Sequence, residues 1–134
     1  MMPLLVLAAA SADLDTLDQA VARCDRTAVN PMFAGEAQRR SEFLLSAYRE
    51  QAAIVADRLA MTDQRRTLRE ATDLKAADRK DSEKQLDLLQ AALDDRQKAL
   101  NDKRMLEGIR EDATDSMRRY FLMNCPAGGK ETAR

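Results

Sequence analysis

Apolar positions recur along this chain with helical spacing, and the pattern changes character three times. Leu14, Leu17, Val21 and Cys24 stand 3, 4 and 3 residues apart. That is one stripe of a short amphipathic helix over Asp13–Asp25. Asp13 and Asp15 fall in its first turn, where carboxylates suit the helix dipole. Asn30 followed by Pro31 has the form of an N-cap before a first-turn Pro, which predicts the start of a long second helix. Its early part is apolar over a wide arc that includes Phe33, Phe43, Leu44, Leu45, Tyr48, Ile54, Val55, Leu59 and Met61. A helix apolar over so wide an arc needs more than one partner. From Arg69 to Gln85 the only large apolar residue is Leu74. A third helix is predicted near Ser82, because Ser82 and Gln85 have capping-box spacing and Leu86 opens an apolar run. Leu86, Leu89, Leu93 and Leu100 form one seam, and Ala92, Ala99, Leu106, Ala113 and Tyr120 repeat every seven residues as a second. The two seams differ in register, so the expected buried face drifts around the helix.

Residues 36–107 contain no Gly and no Pro. Each costs a helix interior, about 1 kcal/mol for Gly and about 3 kcal/mol for Pro relative to Ala. The composition is 34% charged, 45% apolar and only 4% aromatic, which suits a helical rod better than an α/β domain. The expected class is all-α.

The cysteines suggest how the long helical stretch is arranged. Only Cys24 and Cys125 occur, and their midpoint falls between residues 74 and 75, inside the polar stretch. A fold-back there makes a long antiparallel helical hairpin, with the short first helix packed at its base and Cys24 beside Cys125. Phe43 would then meet Leu106, Val55 meet Leu93 or Asp94, Leu59 meet Leu89 or Gln90, and Met61 meet Leu88. Each arm would run about 42 residues, or roughly 63 Å at 1.5 Å per residue. The turn is expected around Leu74–Asp81, made without Gly or Pro. The pairs Arg66–Glu70, Arg69–Asp73, Arg79–Glu83, Asp94–Lys98 and Lys103–Glu107 have i,i+4 spacing, each worth a few tenths of a kcal/mol. Three readings of the cysteines stand side by side: an intrachain disulfide, two free thiols in a cytosolic protein, and a bond between antiparallel copies.

The ends add a compartment. Met1–Ala12 carries no charge, has an apolar run over Leu4–Ala10 and closes on Ala10-Ser11-Ala12. It resembles the core and cleavage site of a secretory signal peptide, although the basic n-region is missing. The expected organisation is a signal-like segment over 1–12, one hairpin domain over 13–125 and a tail over 126–134. The expected location is periplasmic or otherwise exported, with the cytoplasm as the alternative.

The chemistry is sparse. There is no His, the commonest general base and metal ligand. Two isolated Cys make neither a zinc site nor a C-x-x-C redox motif. No Gly-rich phosphate loop precedes a helix. Lys and Arg number 22 against 23 Asp and Glu, and the small Arg65-Arg66-Arg69 cluster is flanked by Asp63 and Glu70. Nothing therefore pulls the chain toward nucleic acid. No catalytic residue, metal site, cofactor or small-molecule substrate is expected. Five Met residues at 32, 61, 105, 117 and 123 read as core filling or as an adaptable binding surface.

Leu59–Arg66 is similar, over eight residues, to the LTxxQ-type repeat of small all-helical periplasmic stress chaperones. Gln64 here follows Thr62 by two residues, not three, and there is no second copy. The functional expectation is a non-enzymatic interaction protein of an envelope complex. It would act as an adaptor, spacer or accessory subunit binding a protein partner, with homo-oligomerisation open. The alternative is a periplasmic holdase chaperone.

Overall fold

The computed structural model describes residues 14–127. The signal-like segment 1–12 and tail residues 128–134 lie outside the described residues. Three helices and no strand occur among the described residues. Helix α1 covers residues 14–22, α2 runs Arg26–Glu70 and α3 runs Ala76–Asn124. The two long helices pack against each other, and α1 packs with them. The hairpin expected from the sequence is the fold observed.

Hydrogen bonding explains the junction of α1 and α2. The Asp25 amide donates to the Ala20 carbonyl and the Cys24 amide to the Val21 carbonyl, both at 3.0 Å. This nested pair is a Schellman motif with Cys24 at the left-handed position that Gly usually takes. Cys24 accordingly has φ 53°, the only positive φ among described non-Gly residues. Asp25 then acts a second time. Its Oδ1 accepts from the Ala28 amide at 3.3 Å, making it the N-cap of α2. The helix therefore begins at Arg26, four residues before the Asn30-Pro31 signal, and Pro31 lies inside it. Packing overrides that signal, because Val29 is wholly buried and only helical backbone carries it into the core with Phe33 one turn on.

The turn between α2 and α3 covers residues 71–75. It lies earlier and is shorter than the sequence suggests, and α3 begins at Ala76 rather than near Ser82. Polarity alone marks Ala76–Asp81 as turn, but these residues are adequate helix formers, and Asp78 suits the first turn. The loop closes without Gly because Arg79 reaches back from α3. Its Nη1 donates to the Leu68 carbonyl at 2.6 Å and its Nη2 to the Ala71 carbonyl at 2.5 Å. Carbonyls at a helix end have no intrahelical donor, so one side chain satisfies the terminus of the other helix.

Contacts divide the chain into two units. One joins the residues up to Glu42 with those from Glu107 onward, and the other is Phe43–Leu106. The first unit holds a three-helix core of Leu17, Ala20, Val21, Val29, Phe33, Phe121 and Cys125. Leu17 and Val21 of the α1 stripe are thus buried, Cys24 packs against the same core, and Leu14 is half-buried. Phe33 and Phe121 meet edge to face with centroids 6.4 Å apart. Arg26 lies 4.8 Å over Phe121 and Arg118 lies 5.0 Å over Phe33, placing cations on ring faces. The Sγ atoms of Cys24 and Cys125 are at bonding distance, 2.09 Å, with Cα atoms 5.4 Å apart.

The second unit is a two-helix contact one seam wide. Ala47, Ile54, Met61 and Leu68 of α2 face Leu86, Leu93 and Leu100 of α3. Both rows advance by seven residues, the repeat that keeps one seam facing a partner helix. The α3 row continues at this spacing in the first unit, where Thr114 and Phe121 are buried. The expected drift of the buried face does not occur. The pairings expected within the fold-back are also rotated. Met61 packs with Leu86 and Leu93 rather than Leu88, and Phe43 joins Ala47, Ile54 and Leu100 rather than Leu106. Val55 and Leu59 are exposed.

Candidate interaction surface

The seam of the second unit is flanked by polar pairs that fix its register. Gln51 and Gln97 exchange reciprocal amide hydrogen bonds at 2.9 and 3.0 Å, and Arg104 donates to Gln51 Oε1 at 3.1 Å. On the same flank Arg58 pairs with Asp94 at 2.9 Å and Arg65 with Asp87 at 3.0 Å. On the other flank Arg96 bridges Glu50 at 2.9 Å and Asp57 at 2.8 Å. These two carboxylates hold the Arg96 guanidinium in its charged form, raising its pKa. Matched pairs of this kind contribute little each at the surface. Their larger effect is specificity, because sliding one helix by a turn would leave several charges unpaired.

The first unit carries a denser lattice. Arg39 grips Glu107 through both terminal nitrogens at 2.7 and 2.8 Å, and Arg110 grips Glu36 at 2.5 and 3.0 Å. Arg39 also reaches Glu36 at 3.2 Å, and Arg40 pairs with Glu111. The bidentate form is the strong geometry for guanidinium and carboxylate. Hydrogen bonding from Arg110 is the largest cause holding the Glu36 carboxyl below the usual range. Donation by Arg39 to the Glu107 carboxylate is the largest cause raising the Arg39 pKa. Apart from the i,i+3 pairs Arg39–Glu36 and Arg66–Asp63 within α2, these ion pairs cross between helices, whereas the sequence spacing suggests i,i+4 pairs within one helix. Glu107 is taken by Arg39 rather than Lys103, and Asp94 by Arg58 rather than Lys98. Arg66 pairs with Asp63 rather than Glu70, and Arg79 goes to backbone carbonyls rather than Glu83. The Arg65-Arg66 cluster is therefore spent on internal partners.

No buried side-chain nitrogen or oxygen among the described residues lacks a partner. The buried Thr114 hydroxyl donates to the Arg110 carbonyl at 2.8 Å. With the interior satisfied, the unbalanced feature lies outside. Large apolar side chains are left in solvent, among them Tyr48 at 71%, Leu59 at 67% and Leu88 at 63% exposure. Those of the second unit form two ridges. Leu44, Tyr48 and Val55 stand seven before, three before and four after Gln51, so they continue outward on its flank. Leu89, Ala92 and Ala99 stand seven before, four before and three after Arg96, on the opposite flank. Leu88 and Leu106 widen that second ridge. Its Ala92, Ala99 and Leu106 belong to the second seam of the sequence pattern, and Leu89, expected in the first, is exposed with them.

The Met residues separate by position. Met61 is core, Met32 and Met117 pack against the core of the first unit, and Met105 is exposed. Near the turn a cleft of about 460 Å³ is lined by Leu68, Leu74 and Leu86 with Asp63, Thr67 and Gln85 among its polar edges. No group of three or more His, Cys, Asp or Glu among the described residues is arranged to hold a metal. No helix among them is long and apolar enough to cross a membrane. No protein family, curated protein or solved structure matches the chain.

Proposed function

We propose that this chain is a non-enzymatic, exported interaction protein. It works as a helical-hairpin adaptor, spacer or accessory subunit of a bacterial envelope complex. The carrying observation is the mismatch between an interior whose described buried side-chain nitrogens and oxygens all have partners and an outside rich in large apolar side chains. Exposed large apolar side chains gathered on one helix face mark protein contacts. The α3 ridge of Leu88, Leu89 and Leu106 is the surface assigned to the protein partner. Export is supported by the signal-like start over 1–12 and by two cysteines at bonding distance, since disulfides persist in oxidising compartments. The exposed, adaptable Met105 favours the second reading, a holdase that accepts many unfolded clients.

Photo-crosslinking in intact cells tests the proposal, with the reactive residue placed at Leu88 or Leu106. One discrete adduct with another envelope protein is the expected result. A broad smear of clients would replace the adaptor with the holdase, and recovery of the chain only in the cytoplasm with both thiols alkylatable would remove the envelope assignment.

A further inference from the structure

We propose that the outward ridge of α2 is a self-recognition surface, on which α2 of a second copy packs antiparallel about a two-fold axis. The ridge consists of Leu44, Leu45, Tyr48, Val55 and Leu59, exposed at 54, 49, 71, 47 and 67%. Leu44, Tyr48, Val55 and Leu59 are spaced 4, 7 and 4 residues apart, and that order reads the same in both directions. The centre of symmetry falls between Gln51 and Ala52. In an antiparallel pairing Leu44 therefore faces Leu59 of the second copy, and Tyr48 faces its Val55. The two remaining contacts repeat these by symmetry. A two-fold interface demands this self-complementarity, because every contact between i and j recurs between j and i.

Area and charge agree with that occupant. The five side chains expose roughly 600 Å² per copy, against about 800 Å² per partner in a stable interface, and their immediate neighbours supply the remainder. Gln51 at the centre is already hydrogen-bonded to Gln97, and Arg58 at the edge to Asp94. Closing the interface thus traps no unpaired charge at its middle, the condition that makes a buried ion costly. The α3 ridge lacks this symmetry: Ala92 and Ala99 dilute it and Asp95 and Asp102 interrupt its border. A different surface therefore serves each role, and the self-pairing does not rest on the proposed function.

Sedimentation of the oxidised full-length chain from about 1 to 200 µM tests the inference. A reversible monomer–dimer equilibrium is expected, weakened about 30-fold or more by Tyr48→Glu or by Leu59→Glu, as for central interface residues. Ala53→Glu, off the ridge, is expected to leave it unchanged. Helicity measured by circular dichroism separates loss of dimer from loss of fold. Position is read by a bis-maleimide linker of roughly 10 Å, matched to the spacing of packed helices. Ala52→Cys, beside the axis, should link to its mate. Leu44→Cys should not, because the two copies of residue 44 lie roughly 22 Å apart along the helix. A chain that stays monomeric throughout, a dimer indifferent to both Glu substitutions, or linking at Leu44→Cys equal to that at Ala52→Cys would overturn the inference.

Discussion

Replacing Arg79 tests whether one side chain closes a helical turn that has neither Gly nor Pro. Arg79→Ala removes both donors to the α2 terminus while keeping the best helix-forming residue at that position of α3. The loss can then be attributed to the two hydrogen bonds, at 2.6 and 2.5 Å. Bonds from charged donors contribute roughly 1.5–3 kcal/mol each when buried. Arg79 is only half-buried, and water reaches the freed carbonyls, so the pair is worth about 2 kcal/mol in total. The assay is urea unfolding of the oxidised chain, followed by helicity, with native-state hydrogen exchange to locate the change. The exchange result is specific: amides near Thr67–Ala71 should open far more readily, while those around Val29 and Phe121 keep their protection. Arg79→Lys keeps the charge and one direct contact, and should recover about half. Lys80→Ala, one residue away and exposed, is the control. A loss below about 0.5 kcal/mol for Arg79→Ala, or equal to that of the control, would show that the turn is held by something else.

Three further outcomes are expected. Cys24→Ser with Cys125→Ser removes a link of sequence separation 101, and chain entropy alone places the loss in urea stability at up to ~4–5 kcal/mol; Cys24→Gly with Cys125→Ser should lose less, because Gly adopts φ 53° without the ~1 kcal/mol left-handed penalty. Glu36 titrates below its ordinary value when folded, so its stabilisation is fully present above an unfolded pKa of about 4.3 and fades as pH falls through the lower folded value; urea midpoints between pH 6 and pH 3 should therefore fall more steeply in wild type than in Glu36→Gln. Ile54→Ala empties a fully buried site of the second unit and should cost about 2–5 kcal/mol, whereas Val55→Ala, half exposed, should cost under about 1 kcal/mol in dilute solution.

Some of this architecture is legible before any coordinates. Leu17 and Val21 of the first stripe are buried as their spacing requires while Leu14 is only half-buried, and the midpoint of Cys24 and Cys125 lies inside the observed turn. Helix boundaries are less legible. Asn30-Pro31 and Ser82-x-x-Gln85 have the composition of helix starts, yet both lie inside helices. Local capping signals are worth about 1 kcal/mol, less than burying Val29. The caps in use are Asp25, which also closes the preceding motif, and Arg79, which acts across the turn. The second of these depends on a contact eight to eleven residues away, which no local motif records.

Periodicity and the absence of Gly and Pro determine, from sequence alone, that this chain makes long helices; the midpoint of Cys24 and Cys125 inside a polar stretch suggests a fold-back near residue 74 but leaves pairing between antiparallel copies open. Only the tertiary structure decides which face of each helix is buried. Apolar residues populate more than one heptad row on both helices, and in the second unit this pair buries one apolar row of each. The choice falls on the row of Ile54 and Leu93 because its flanks let Gln51 meet Gln97, Glu50 meet Arg96 and Arg58 meet Asp94 at once. Those partners are distant in sequence, so their agreement exists only in three dimensions. The rows left out of that choice, Tyr48 with Val55 and Leu88 with Leu106, become the outward surfaces on which the proposed interactions rest.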